Sequence, residues 1–404
     1  MQKATLKVDI FAEKTNEIFQ ILNYFSNFVP NSTMTGIYIH IPFCASRCIY
    51  CAFYSTVKME LRQQYVDALC REMTMRPTAD TISTIYLGGG TPSQLTVGQL
   101  QQLLDGLYNI YKVAEDAEVT IEVNPDDVTP ALAEALSRLP VNRVSMGAQT
   151  FDDQRLRFLR RRHTARQVGE AVARLRTAGI SNISVDLMYG FPDETLDDWQ
   201  RDIDSALSLD VEHLSAYCLS IEEGTPLYEK VHKGDGSFCV LCNEEVERTM
   251  YYTLIDRLAA AGYEHYEISN FARRGYRSRH NSSYWTDIPY IGLGAAAHSY
   301  DGQRRRWNVS DLQHYIEGAE TGHIDYEEEV LDDDTRYNDR VMLSLRTAEG
   351  LDLGTLTAHD RAYLLENARR YVVNGLLTEE NGRLKLSREG LFVSDMVTSD
   401  LMRA

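Results

Sequence analysis

The sequence predicts an α/β protein: a partial (β/α)6 barrel followed by a small α-rich domain of winged-helix type. Apolar, β-branched runs alternate with segments of helical periodicity as far as Leu219. Polar or glycine-rich segments follow successive runs, and the pattern changes after Gly224-Thr225-Pro226. Strands and helices alternating at this spacing are typical of parallel βα units. Six such strands indicate an incomplete barrel rather than a closed eightfold one.

The barrel elements follow one another in a regular order. The predicted strands are Gly36–Ile41, Thr81–Leu87, Glu118–Val123, Arg143–Met146, Asn182–Leu187 and His213–Leu219. The predicted helices between them are Glu60–Met75, Val97–Tyr111, Pro130–Leu139, Ala165–Ala178 and Thr195–Leu207. Each helix has apolar residues at the spacing of one buried face, as a helix that covers a sheet requires.

Sequences suited to binding fall at the same end of successive strands. They are Pro42–Cys51, Gly88–Pro92, Glu122–Pro125, Gly147–Gln149, and Asp186 with Tyr189–Pro192. In barrels of this kind the chemistry is located at the C-terminal ends of the strands. We therefore expect these segments to surround one site.

The chain divides into four predicted segments. Residues 1–33 form an N-terminal extension, 34–235 the barrel, 236–325 a barrel-capping linker region, and 326–404 the small C-terminal domain. Met34 directly precedes the first strand, so either Met34 is the natural start, or Met1 is and the extension contains a genuine helix at Lys14–Phe28. The last segment predicts helices at Asp333–Arg346, His359–Asn374 and Leu391–Leu401, with a strand at Leu384–Leu386.

Composition restricts the class of protein. The 404 residues carry a formal net charge of -18, which argues against nucleic acid as a partner. We find no apolar run of membrane-spanning length and no secretion signal, so we expect a cytoplasmic protein. Seven cysteines are too few for a disulfide scaffold at this length, and clustered thiols in a reducing compartment are more often metal ligands.

Three cysteines, Cys44, Cys48 and Cys51, lie in one short segment after the first strand. Their spacing lets a single loop direct three thiolates at one face of a cubane, and thiolates are the preferred ligands of iron–sulfur clusters. A [4Fe–4S] cluster held in this way keeps one iron without a protein ligand. S-adenosylmethionine (SAM) can chelate that iron through its amino and carboxylate groups. An electron from the cluster can then cleave the sulfonium to give a 5′-deoxyadenosyl radical.

The plain alternatives for this segment are buried structural cysteines or a zinc loop. Zinc requires a fourth ligand, and no nearby cysteine supplies one at a usual spacing. His40 is the only close histidine, and strand alternation does not by itself direct it at the loop. Tyr50, just before Cys51, is suitably placed to contact adenine.

The second strand leads into Gly88-Gly89-Gly90-Thr91-Pro92. Glycines let backbone groups approach a ligand closely, here the aminocarboxylate end of SAM. Glu122 ends the third strand, where its carboxylate can accept hydrogen bonds from ribose hydroxyls. An ordinary turn and a solvated strand end are the alternatives.

These motifs together resemble the radical-SAM superfamily, and within it the anaerobic coproporphyrinogen III oxidase family and its HemW-like heme chaperone branch. The resemblance runs from about Gly36 to the C-terminus, including Leu384–Gly390. Two features favour the chaperone branch. The oxidase has a further cysteine where this chain has Phe53, and His280-Asn281-x-x-Tyr284-Trp285 matches a signature of the chaperones.

The resemblance assigns SAM contacts to ten positions. They are Tyr38, Tyr50, Gly89, Gly90, Thr91, Glu122, Gln149, Arg161, Asp186 and Ser220. Arg161 and Ser220 lie outside any distinctive motif. An aspartate such as Asp186 after a parallel strand is often only a turn residue.

Three further features have ordinary alternatives. His280 is either a heme axial ligand, with Tyr284 and Trp285 as a flat surface for the macrocycle, or a residue that satisfies buried backbone groups. We interpret the basic run Arg155–Arg162 mainly as a solvated helix face. The pair Cys239-x2-Cys242 cannot hold a cluster alone, and we interpret it as incidental.

The resemblance implies a heme chaperone that passes heme to apo-proteins such as respiratory cytochromes, with a [4Fe–4S] cluster, SAM and heme as cofactors. This interpretation favours a non-enzymatic role. The alternatives are an oxygen-independent coproporphyrinogen III dehydrogenase, whose radical abstracts hydrogen from propionate side chains, and a radical-SAM enzyme with another substrate. Peripheral membrane association and a homodimer are left open.

Overall fold

Six parallel strands and their crossover helices confirm the predicted barrel. The computed structural model describes residues 34–233 and 242–403, so the predictions for residues 1–33 and for Cys239 lie outside the described residues. The strands are β1 (Met34–Ile41), β2 (Thr81–Gly89), β3 (Lys112–Val123), β4 (Arg143–Gln149), β5 (Ile183–Tyr189) and β6 (His213–Cys218). The helices are α1 (Arg62–Met75), α2 (Val97–Ile110), α3 (Pro130–Arg138), α4 (Asp153–Phe158), α5 (Ala165–Thr177), α6 (Leu196–Ser208) and α7 (Pro226–Lys233).

Alternation along β1 separates the core from the barrel interior. Ile37, Ile39 and Ile41 are fully buried against the surrounding helices, while Tyr38 and His40 belong to the opposite face. Threonines begin several crossover helices. The side chain of Thr96 accepts a hydrogen bond from the Gln99 backbone N–H at the start of α2, and equivalent bonds begin α3 and α6. These caps fix where each connection turns back toward the next strand.

The segment predicted as a barrel cap extends the sheet at both edges. Its described elements and the strand that follows are α8 (Glu244–Ala260), β7 (Glu264–Glu267), β8 (Asn270–Ala272), α9 (Arg279–Tyr284), β9 (Tyr290–Leu293), β10 (His298–Tyr300), β11 (Arg304–Asn308), α10 (Leu312–Thr321) and β12 (Tyr326–Val330). The sheet order is β12-β11-β10-β9-β1-β2-β3-β4-β5-β6-β8-β7. β9 pairs parallel with β1, and β8 pairs antiparallel with β6.

Helix α9 lies at the base of the barrel, at the N-terminal ends of the strands. The Gly36 backbone N–H, at the start of β1, donates to the carbonyl of Pro289 just after α9 (3.1 Å). The Glu118 carboxylate of β3 accepts from the backbone N–H groups of Arg279 and His280, both at 2.9 Å. Since the cluster loop follows the C-terminal end of β1, α9 and the cluster loop occupy opposite ends of the barrel.

The C-terminal domain has its own core. It consists of α11 (Asp333–Leu345), β13 (Leu351–Asp352), α12 (Ala358–Val373), β14 (Leu377–Glu380), β15 (Arg383–Leu386), α13 (Arg388–Phe392) and α14 (Ser394–Leu401). Helices followed by the β14–β15 hairpin give the predicted winged-helix character. Because β12 pairs with β11, the boundary lies after Val330 rather than at residue 326. Within the described ranges, no helix has both the length and the apolarity needed to cross a membrane.

Candidate functional site

The cluster loop is held at the mouth of the barrel by backbone hydrogen bonds. Thr56 donates to the carbonyl of Pro42 (2.7 Å), and Cys44 donates to the carbonyl of Thr56 (2.9 Å). Farther along, Ile49 donates to Leu159 (3.3 Å) and accepts from Leu227 (2.9 Å). These contacts fix both halves of the loop, so the thiols between them are presented on a defined frame.

The three loop thiols suit a shared cluster. Cys44, Cys48 and Cys51 are partly exposed and free of disulfides. Burial raises the pKa of Cys44 and Cys51, and the negative charge of the neighbouring thiolates raises it further. In the part of the chain that the structure describes, no three His, Cys, Asp or Glu side chains lie close enough together to hold a single metal ion. A cubane spreads three ligands over three irons, so three soft donors on one loop suit it without meeting at one metal ion.

A polar network connects this loop to the next strands. Cys44 Sγ lies 3.6 Å from Thr91 Oγ1, which accepts from Asn124 Nδ2 (3.4 Å). Arg161 donates to Asn124 Oδ1 (2.6 Å) and contacts Cys48 Sγ (3.6 Å). Burial alone would lower the pKa of Arg161, but Tyr50 and Cys48 beside it outweigh burial and raise it. The guanidinium therefore stays charged beside the Cys48 thiol.

Glu122 lies below this network, inside the barrel. Its two oxygens accept from Tyr86 Oη (2.7 Å) and from the Gly89 backbone N–H (3.1 Å). Burial, with Asp186 nearby, raises the pKa of Glu122 to about 7, although Tyr86 and Gly89 counteract the shift. The carboxylate is oriented by two donors and titrates near neutrality.

The glycines after β2 have a packing role that the sequence did not reveal. A Cβ at Gly90 would lie 2.7 Å from the carbonyl oxygen of Ile41, and one at Gly89, where φ is +104°, would lie 2.4 Å from the ring of His40. The glycines thus permit β2 to pack against the end of β1. Contact of Gly89 and Gly90 with SAM stays a prediction.

The remaining candidates occupy three environments. Tyr38 Oη lies 3.1 Å from His40 Nδ1 in the barrel interior, and Asp186 accepts from Ser145 Oγ at 3.5 Å. Gln149 ends β4 with a φ of +68°, at the same end as the cluster loop. Ser220 is exposed in the loop after β6.

His280 lies apart from these residues, in the base. It is fully buried, with Nδ1 2.8 Å from Thr84 Oγ1 and Nε2 2.8 Å from Tyr284 Oη. Its ring stacks on Tyr86 at 5.1 Å. Burial first, and then the charge of Arg143, lowers its pKa to about 3. In this arrangement both ring nitrogens have hydrogen-bond partners within the protein, as the buried alternative expects, and the heme-ligand role of His280 stays a prediction.

Sequence reasoning missed Asn124 as a site residue. It bridges Arg161 and Thr91, and its position directly after β3 was the available signal. The arginines of the basic run Arg155–Arg162 have different surroundings. Arg155 pairs with Glu194 and Asp198, whereas Arg161 belongs to the site.

Comparisons with known proteins agree with this architecture. The Radical SAM superfamily model matches residues 38–206, and the HemN C-terminal domain model matches 331–393. Heme chaperone HemW of Bacillus subtilis is 38% identical over 79% of this chain and 85% of the relative. The HemW of Mycobacterium tuberculosis is 34% identical over 91% and 94%. The solved coproporphyrinogen III oxidase of Escherichia coli has a TM-score of 0.79 at 22% identity, over 92% of this chain and 90% of that one.

Barrel, cysteine loop and C-terminal domain define a radical-SAM protein, a class that holds a [4Fe–4S] cluster and SAM. The extent and identity of the matches place the chain more narrowly. It belongs to the HemW family.

Proposed function

We propose that this protein is a heme chaperone, which binds heme and transfers it to apo-proteins such as respiratory cytochromes. The observation that carries the proposal is the similarity to HemW proteins, named heme chaperones, over most of both chains. The likeness to the oxidase structure shows the fold alone, at 22% identity. Heme recipients, a cytoplasmic location and a homodimer are parts of the proposal.

Phe53 supports the chaperone role over the oxidase role. It stands two residues after Cys51, where the oxidase pattern has a cysteine, and its side chain is 70% exposed. An exposed phenyl ring provides neither a thiol nor a hydrogen-bonding group. The oxidase motif is therefore incomplete in this chain.

The mouth of the barrel has separate roles for its residues under this proposal. Cys44, Cys48 and Cys51 hold the cluster, and Arg161 balances its charge. The SAM pocket comprises Tyr38, Tyr50, Gly89, Gly90, Thr91, Glu122, Gln149, Arg161, Asp186 and Ser220. SAM bound there supplies radical chemistry when the cluster is reduced.

Anaerobic reconstitution followed by two parallel assays tests the proposal. We expect stable heme binding, detected by the Soret band, and transfer of that heme to an apo-cytochrome. With coproporphyrinogen III, SAM and a chemical reductant, we expect no decarboxylation. Robust formation of vinyl groups from coproporphyrinogen would contradict the chaperone role and establish the oxidase.

A further inference from the structure

We propose that the porphyrin ring and carboxylates of heme bind in a cavity at the base of the barrel, between the loop after α9 and the C-terminal domain. This inference rests on the proposed function, because it takes heme as the ligand. It assigns heme to the end opposite the cluster and SAM.

The cavity has the size and position of a ligand site. Its volume is about 990 Å³, at the upper end of the range for small-molecule pockets. Its walls come from the segment Trp285–Ile288, from β9 and β10, and from α11 and the β14–β15 hairpin of the C-terminal domain. β9 begins beside Gly36, and the cluster loop begins after Ile41. That length of β1 separates the two sites by roughly 17 Å.

Aromatic rings form one wall. Trp285, Tyr284, Tyr290 and Tyr300 line the cavity, and the Tyr284 and Tyr290 rings meet edge to face at 4.7 Å. The Trp285 Nε1–H is buried without an acceptor among the described residues. Buried indole N–H groups usually have a partner, so this donor indicates a ligand or an ordered water. Flat rings with one polar donor suit the face of a porphyrin.

Arginines outnumber acidic side chains around the cavity, and three of them form ion pairs with acids of the same lining. Five arginines and four acidic side chains line the cavity, although the chain as a whole carries a formal charge of -18. Arg340 donates to the carbonyl of Thr355 (3.0 Å) and, within the described ranges, has no carboxylate partner. Arginine recognises carboxylates with two parallel hydrogen bonds. Arg340 is thus available for a heme propionate.

The heme iron contributes little to the binding affinity in this cavity. The residues that line the cavity include no histidine, cysteine or methionine, and His280 is separated from it by Tyr284. Only tyrosine oxygens offer an axial ligand of a known heme type. Recognition by ring and carboxylates predicts that metal-free protoporphyrin IX binds within about threefold of heme, since an iron bond adds little.

Titrations of the reconstituted full chain with hemin and with protoporphyrin IX test the site. Trp285→Leu and Arg340→Gln should each raise the Kd about tenfold, through loss of ring contact and of a charge-assisted hydrogen bond. Ser344→Trp, which fills the cavity from α11, should raise it at least as much. Arg369→Gln, an exposed arginine of α12, is the matched control and should leave the Kd unchanged. Saturating SAM should not displace heme.

The outcomes separate the inference from the proposed function. If the unaltered chain binds heme but the three folded variants bind it equally well, the cavity is not the site and the chaperone role stands. Displacement of heme by SAM would likewise overturn the inference and locate the porphyrin at the mouth. If the unaltered chain binds no heme, the proposed function fails first. Cluster absorbance and thermal unfolding identify any variant that does not fold, and the other two variants then decide.

Discussion

Glu122 is the residue whose protonation we expect to control SAM binding. Its pKa of about 7 means that it is mostly protonated below neutrality and mostly ionised above it. Ribose hydroxyls donate more strongly to a carboxylate than to a carboxylic acid. SAM affinity should therefore rise as pH increases through 7, by up to about tenfold.

Equilibrium binding of SAM between pH 6 and pH 8.5, with the cluster intact, measures this effect. Glu122→Gln should weaken SAM binding about tenfold at high pH and flatten the profile, because the amide does not titrate. Glu366→Gln, an exposed position of α12, is the control. An unchanged profile in Glu122→Gln would remove Glu122 from the SAM pocket.

We expect a substitution at Gly90 to lower the stability of the protein, because Gly90 packs against the end of β1. In Gly90→Ala the added Cβ meets the backbone of Ile41 and Pro42 at 2.7 Å, so the two strand ends must separate. We expect the free energy of unfolding to fall by about 1–3 kcal/mol, as for other overpacked sites. Gly98→Ala, in α2 with open space around it, should instead gain about 0.5–1 kcal/mol. Chemical denaturation of both variants makes the comparison, and equal stabilities would contradict the packing role.

For single residues, the sequence predicted the positions of site residues better than it predicted their contacts. The cysteine spacing placed three thiols on one loop, as the structure has them. The ligand interpretations of the glycines and of His280 considered only a ligand, whereas the structure also has protein side chains against both groups. His40 fills the space at Gly89, and Tyr284 and Thr84 occupy the nitrogens of His280. Spacing along a chain does not reveal which distant side chain will fill a gap.

The cluster loop is the element on which the cofactor prediction rests. Replacing Cys44, Cys48 or Cys51 by Ala should abolish the cluster absorbance and the content of about four irons per chain. Cys70→Ala and Cys242→Ala are matched controls, because neither belongs to the loop. Iron analysis and visible absorption after anaerobic reconstitution provide the measurement. Equal loss in Cys242→Ala would show that the ligand assignment is wrong.

Some strands can be predicted from the local sequence pattern, and others cannot. β1 to β6 have six to twelve residues each and alternate with helices, so periodicity identifies them. Strands such as β8 and β10 have three residues each and take their structure from neighbours distant in sequence. The position of α9 depends on Glu118, more than 150 residues earlier in the chain. Local pattern therefore did not predict that this segment also extends the sheet.

For the whole molecule, one of the contacts between the sheet and the C-terminal domain is made by a buried carboxylate. Glu267 of β7 is 2% exposed and accepts two hydrogen bonds from Arg346, at 3.0 and 2.8 Å. Arg388 makes an equally regular pair with Asp256, at 2.7 and 2.8 Å, but on the surface. Breaking a buried pair leaves a charge without compensation, whereas an exposed pair is screened by water.

These two pairs give a matched comparison of the interface between the domains. Arg346→Ala should lower the free energy of unfolding by about 3 kcal/mol and split thermal unfolding into two transitions, because the C-terminal domain has its own core. Arg388→Ala should cost at most about 1 kcal/mol and keep a single transition. Since α11 supplies one wall of the basal cavity, Arg346→Ala should also weaken heme binding while SAM binding at the opposite end persists. Calorimetry with parallel hemin and SAM titrations measures all three effects, and equal costs for the two variants would show that Glu267 does not hold the domains together.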